Sequence, residues 1–544
     1  MSLFLGLDSS TQGLTAVVIG VSGTSRDTVW QHTINYDRDL PEYGTLHGVL
    51  QNADPRIVRS SPAMWADALD RMMARIATER SIDKARIAAI AGAGQQHGSV
   101  YLTQEGLRRL AAMDARAALV SQLDGVFSRE ASPIWMDSST SAECGEIEAA
   151  LGGRAATARL TGSRAFERFT GPQIRKLAKD HPGRYDLTAR VHLVSSFLAS
   201  LLAGSDAPID PGDGAGMNLM DLASGQWSDA ALDATAPGLR DRLPRLAPSS
   251  TVIGHLAAYW SDRYGFSPAT KVVAWTGDNP SSLIGTGLIR EGRVAISLGT
   301  SDTIFGAMDA PRVSDAGVGH VFGAPTGAFM GITVFKNGSL AREQVRDAYA
   351  LDWDSFSLLL QTSPPGNQGA LMLPWFEPEI TPAVSVPGIR RDNLDPHDAH
   401  ANVRAIVEAQ MMAMARHSAW MGVRVDTIHA TGGASRNTEI LQVMADVFNA
   451  RVERFQISNS AALGAALRAW HADALDEGHP LPWEAVTSAV RSEAAVGIAP
   501  DPNVRAIYRR LLPLYAACEA HALGRGPDPT GALRDAAEMT GGWE

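Results

Sequence analysis

At 544 residues the chain exceeds what one hydrophobic core usually spans, so two large lobes are expected. Its 45% hydrophobic and 20% charged residues are ordinary for a soluble globular protein and exclude a disordered or fibrous one. The net charge of -11, from 48 basic and 59 acidic residues, argues against nucleic-acid binding but leaves room for an anion site of backbone N–H groups.

The opening MSLFLGLDSS has no basic segment and reaches an acid at Asp8, so neither a signal peptide nor an anchor is expected. No run of about 18 apolar residues occurs, and a cytoplasmic protein without membrane contact is the expectation. Strands are expected at Leu3–Leu7 and Leu14–Val21, joined by the polar turn DSSTQG, with a third at Thr28–Tyr36. A helix should open at Ser61-Pro62, where Trp65, Leu69, Met72 and Ile76 follow at helical spacing. Ile87–Ala93 reads as a strand ending in GAGQQHG, and residues 104–132 as a polar, helical insert. The stretch DRLPRLAPSS and the helix after it lead to a strand at Lys271–Trp275, which places a lobe boundary near residue 270. The two lobes would then be residues 1–270 and 271–544.

The second half repeats the first. RVAISLGTSDTIFGAM (293–308) reads as strand, polar turn and strand, its Thr300 matching Thr11, and Phe329–Phe335 supplies a third strand. Residues 362–400 are rich in proline and glycine and read as loops. A helix at 402–421 carries Val403, Ile406, Val407, Met411 and Met414 on one face; strand Thr427–Thr431 then runs into GGASRN, and residues 524–544 read as a fraying tail. A period of half the chain means a duplicated α/β domain, not a solenoid. Cys144 and Cys518 form no CxxC or metal spacing, so neither a disulfide framework nor a zinc site is indicated.

Four turns could carry chemistry. In LGLDSSTQG, small hydroxyl residues let backbone N–H groups cradle an anion, and Asp8 is placed to hold Mg²⁺ against a phosphate; an ordinary hairpin uses the same residues. SLGTSDT offers Gly299 and Thr300 at the matching place, so two opposed loops could grip one polyphosphate. ATGGASRN lets a flat ligand lie close to backbone before a helix starting near Asn437. In TGDNP, Asp278 is either a helix cap or a carboxylate aimed into the cleft as a base.

In this order DSSTQG, GAGQQHGS, WMDSS, GDN, SLGTSDT and ATGGASRN resemble the FGGY carbohydrate kinases, over roughly residues 3 to 470. Stretches without obvious chemistry share the likeness: DRDLPEYGT (37–45), LTGSRAFERFTGPQI (160–174), APIDPGDGAGMNLM (207–220) and FKNGSL (335–340). The resemblance implies a duplicated actin-like ATPase, ribonuclease-H-like α/β fold with two lobes around a nucleotide and sugar cleft. It implies ATP and Mg²⁺, a sugar acceptor (D-xylulose in the animal-type members that the chain most resembles) and room for a homodimer. By the same resemblance Asp278 is the general base, and Asn279, His97 with neighbouring Gln96, and Arg168 hold the sugar, with Trp135 and Asp137 close by. Asp8, Ser10, Thr11, Gly299 and Thr300 fall at the phosphates, with Asp8 as metal ligand, and Trp353, Gly432, Gly433, Ala434 and Asn437 at the adenosine. Ser10 departs from the family's glycine, and Thr15 stands where a basic residue is common, which leaves the contacts of the first turn open. Rival readings are another ketose or polyol as acceptor, a nucleotide-switched actin-like protein, and a silent sugar sensor. The actin-like protein would have no use for QQHG, FERFTG or GDN, all of which are present.

Overall fold

The computed structural model describes residues 1–23, 25–455, 459–488 and 497–533. From residue 534 onward the expected fraying tail lies outside the described residues.

The first sheet is built from β1 (Ser2–Ser9), β2 (Gly13–Ser22), β3 (Ser25–Asn35), β4 (Ile87–Gly94), β5 (Val252–His255) and β6 (Lys271–Val273) in the order β5-β6-β4-β1-β2-β3. The second holds β7 (Arg293–Leu298), β8 (Asp302–Met308), β9 (His320–Gly323), β10 (Phe329–Phe335), β11 (Thr427–Thr431), β12 (Arg451–Arg454) and β13 (Gly497–Ile498) in the order β9-β10-β8-β7-β11-β12-β13. Both begin with a three-stranded antiparallel meander, both add two parallel strands next to its first member, and both end on an antiparallel one. β9 has no counterpart in the first sheet and was not evident in the sequence.

Helix α1 (Pro62–Thr78) starts as its sequence predicts, with Ser61 Oγ accepting from Met64 N at 3.4 Å and Pro62 in the first turn. Its stripe of Trp65, Leu69, Met72 and Ile76 is fully buried against the first sheet, each side chain contributing roughly 1.5–3 kcal/mol by leaving water. The insert 104–132 is less helical than expected, with short helices at Gln104–Leu110 and Leu119–Gln122 and a strand at Phe127–Arg129. Within 362–400 the strands Leu371–Leu373 and Arg390–Asp392 form a ribbon between loops.

The expected boundary at residue 270 falls inside the first sheet. β6 lies beside β4, and so does the two-residue strand Thr276–Gly277, so the chain leaves this sheet only after Gly277. It leaves through α2 (Asp278–Gly285), which crosses α7 (Ser460–Asp476); the intervening helices are α3 (Ser339–Ala348), α4 (Trp353–Thr362), α5 (Ala399–Ser418) and α6 (Thr438–Phe448). At the crossing a Cβ on Gly285 would lie 1.9 Å from Ser460 O, and one on Gly464 1.9 Å from Ser281 O, so only glycine lets the backbones touch. α7 buries Ala462, Ala466, Leu467 and Ala469 against Phe4, Val17 and Ile19 of the first sheet. Its Arg468 donates to Gly92 O at 2.9 Å and Ser249 O at 3.1 Å, and also to Ala274 O. A segment from the far half of the chain therefore completes the first lobe's core. No helix among the described residues is long and apolar enough to cross a membrane.

Candidate active site

Strand register brings the first lobe's motifs to one level. Ser9 pairs with Gly94, and Gly94 with Gly277, so Asp8, Gln95–His97 and Asp278 emerge together at the carboxyl ends of three parallel neighbours. This is where open α/β sheets hold ligands. Burial, reinforced by the charge of Asp278, pushes the Asp8 carboxyl up to about 8, and its Oδ1 has no hydrogen-bond partner. Burial likewise pushes Asp278 up to about 6, against hydrogen bonds to its Oδ1 from Asn279 N at 2.8 Å and Asn279 Nδ2 at 3.0 Å. Asn279 Nδ2 also donates to Gln96 Oε1 at 2.8 Å, and Gln96 Nε2 to Gly212 O at 3.3 Å. Asp278, Asn279 and Gln96 are thus one chain of polar contacts.

His97 sits in the left-handed region at φ 70°, on the turn after β4. Its ring stacks on Phe169 with centroids 4.3 Å apart, and Nδ1 lies 2.8 Å from Gly216 O. A carbonyl only accepts, so Nδ1 carries the proton and Nε2 keeps a lone pair. Burial and the nearby Arg168 hold the ring neutral, its value depressed to about 3. Arg168 is a half-buried guanidinium, lowered to about 10 by burial, packed over Phe166 at 4.9 Å and donating to His320 Nε2 at 2.8 Å.

The remaining first-lobe residues divide. Trp135 is exposed and its Nε1 donates to Thr11 Oγ1 at 2.8 Å, while Thr11 donates to Gln95 Oε1 at 3.4 Å. Ser10 uses both amide and hydroxyl on Gly13 O, at 2.9 and 3.0 Å, and so closes its own turn. Asp137 is buried, with Oδ1 taken by Ser139 and Gln173 and Oδ2 by Val58 N. The acid expected near the sugar is fully engaged within its lobe.

In the second lobe Ser297 pairs with Thr431, which puts the turns at 299–300 and 432–434 side by side. Gly299, Thr300, Gly433, Ala434, Asn437 and Trp353 line one cavity of about 870 Å³, together with Arg436 and Ser357. Gly432 is required beneath it, at φ 85° with a Cβ position only 2.4 Å from Leu298 O. Asn437 Oδ1 caps α6 by accepting from Glu439 N and Ile440 N, and its Nδ2 donates to Ser357 Oγ at 2.7 Å. Trp353 lies under Arg346, 4.6 Å from ring centroid to Cζ.

Sequence reasoning missed the supports. FKNGSL backs the 299–300 turn: Ser339 N donates to Gly299 O at 2.8 Å, and a Cβ on Gly338 would lie 2.6 Å from that oxygen. Beneath it Arg342 pairs with Asp302 at 2.9 Å, fully buried, and both reach Gln410 through Arg342 Nη1. APIDPGDGAGMNLM supplies Gly212 and Gly216 to Gln96 and His97. Its glycines were the available signal, since a Cβ on Gly216 would lie 2.8 Å from His97 Nδ1.

Among known proteins, models of the FGGY family of carbohydrate kinases match residues 131–285 as its N-terminal domain and 294–472 as its C-terminal domain. Xylulose kinase of Rattus norvegicus is 43% identical over 536 residues, covering 96% of this chain and 98% of its own length. Xylulose kinase 2 of Arabidopsis thaliana is 42% identical over 492 residues, covering 86% and 87%. The solved xylulose kinase of Rhodospirillum rubrum superposes with a TM-score of 0.78 at 19% identity, over 96% of this chain and 99% of that one, a likeness of fold. With its two duplicated sheets, its actin-like two-lobed architecture and its relatives over nearly the whole length, the chain belongs to the FGGY family of carbohydrate kinases.

Proposed function

We propose that the protein transfers the γ-phosphoryl group of ATP to the primary 5-hydroxyl of D-xylulose, giving D-xylulose 5-phosphate and ADP. The observation that carries this is the meeting of a half-buried, hydrogen-bonded Asp278 with His97 and Asn279 at the strand ends, in a chain 43% identical to a xylulose kinase over 96% of its length. Asp278 accepts the hydroxyl's proton at its carboxylate as the oxygen attacks phosphorus. With a value near 6 it is charged at neutral pH yet basic enough to take that proton. His97 Nε2 accepts from one sugar hydroxyl, and the free edge of Arg168 donates to another oxygen. The 870 Å³ cavity has room for a nucleoside, with backbone of Gly433 and Ala434 against the base or ribose and Gly299 and Thr300 toward the phosphates.

The orphaned Oδ1 of Asp8 and its raised pKa fit a divalent cation such as Mg²⁺, which would neutralise phosphate charge. Asp8 would hold it together with the nucleotide's oxygens, since no cluster of three or more His, Cys, Asp or Glu among the described residues could cage a metal. Closing the lobes would exclude water, so that phosphate passes to sugar rather than to solvent.

The test is ADP release with D-xylulose and ATP by the protein and by Asp278→Asn, whose rate should fall about 10²–10⁴-fold. More than about a tenth of the activity surviving would show that the base is elsewhere. A panel of D-ribulose, fuculose and glycerol fixes the acceptor: turnover of any of these well above xylulose overturns the choice of sugar.

A further inference from the structure

Only one edge of β9 is used by β10. Its other edge meets the first lobe, where Val321 N donates to Gly162 O at 2.9 Å. Gly162, at φ 86°, has no room for a Cβ, which would lie 2.5 Å from Val321 O. His320 opens this strand and buries its ring among Phe166, Phe169 and Phe322, at centroid distances of 4.5, 5.4 and 5.9 Å.

The ring's two nitrogens have defined roles. Nε2 faces Arg168 Nη2 at 2.8 Å and Nδ1 faces Ser163 Oγ at 3.1 Å. A guanidinium only donates, so Nε2 carries the lone pair and Nδ1 the proton, which goes to Ser163. The titratable groups around the ring are Arg168, Arg164 and His97, none of them acidic, and burial keeps the imidazole neutral. Arg168 itself makes this one hydrogen bond and no ion pair among the described residues. One edge of a sugar-facing guanidinium is therefore fixed by an imidazole from the opposite lobe.

We propose that His320 is a positioning residue of the sugar site. Through Nε2 it orients Arg168, so that the guanidinium is presented to the sugar only while β9 is docked on the first lobe. This rests on the sugar-kinase function proposed above and adds a residue to it. The neutral Nδ1–H form is integral to the role, because a proton on Nε2 would set donor against donor.

Two measurements test it. In steady-state kinetics with D-xylulose and ATP, His320→Leu should raise the KM for sugar about 10- to 100-fold, the worth of a hydrogen bond to a charged group, and leave the KM for ATP within about twofold. His320→Gln keeps an acceptor near Nε2 and should recover most of the loss. An unchanged sugar KM in His320→Leu, equal rises for both substrates, or equal damage in both variants overturns the proposal. The second measurement needs no turnover: ¹⁵N-histidine spectra, with the signal assigned from His320→Gln. They should show His320 neutral at pH 7 with its proton on Nδ1, and Arg168→Ala should shift Nε2. A proton on Nε2 overturns the proposal whatever the substrate; absence of xylulose turnover with the Nδ1–H form intact overturns only the choice of sugar.

Discussion

Three aspartates show how surroundings separate roles that residue type leaves open. Asp137 is buried among donors from Ser139, Gln173 and Val58, so its charge is spent on structure. Asp8 and Asp278 lie half-buried near each other, Asp8 with its Oδ1 unpartnered, and both are raised. Because the base must be ionised, kcat/KM for the sugar should fall about tenfold per pH unit as pH drops below about 6, and a limb well below 5 would contradict Asp278 as the base. The stability sign is opposite. A carboxylate raised from 3.8 to about 6 binds protons more tightly folded than unfolded, so folding stability declines as pH rises through that window. Spacing alone leaves Asp278 equally a helix cap or a carboxylate aimed into the cleft, and it is the family resemblance of the GDN motif that singles it out. Two of the donors that engage Asp137, Val58 N and Gln173 Nε2, come from distant positions, which spacing within WMDSS cannot report.

At the scale of elements, strands were the most legible. Phe329–Phe335 and Thr427–Thr431 run as their apolar patterns predict, and Asn437 caps the helix expected at that point. β9 escaped notice because four residues, HVFG, carry too little pattern to signal an edge strand. The support of the 299–300 turn was equally silent, since a buried ion pair between α3 and β8 spans 40 residues of sequence. That pair makes a definite prediction. Arg342→Met leaves Asp302 buried without its partner and should cost about 3–5 kcal/mol in urea denaturation, with a raised KM for ATP as the 299–300 turn loosens. Adding Asp302→Asn should recover much of that stability; no recovery would mean that packing, not charge, holds the turn.

Across the whole molecule the duplication read from paired threonine turns holds for six strands of each sheet, β9 having no counterpart, but the seam between copies does not lie where composition suggested. A lobe boundary drawn from a proline-bearing stretch assumes that sequence neighbours are spatial neighbours. Here two strands beyond residue 270 finish the first sheet, and α7 returns to cover it. No local pattern announces that return, because α7 is small-residue-rich and would suit either lobe.

The return of α7 has a consequence for how the molecule comes apart. A fragment ending at residue 285 would leave Phe4, Val17 and Ile19 bare, and its partner would carry a helix whose apolar face has nothing to cover. Neither half is then a folding unit, in the way that beads on a string are, and heat should undo both lobes in one calorimetric transition. Two resolved transitions, or a soluble cooperative 1–285 fragment, would count against this. During synthesis the ribosome must deliver more than 450 residues before the first sheet can be sealed, so the earliest-made lobe is among the last to be finished.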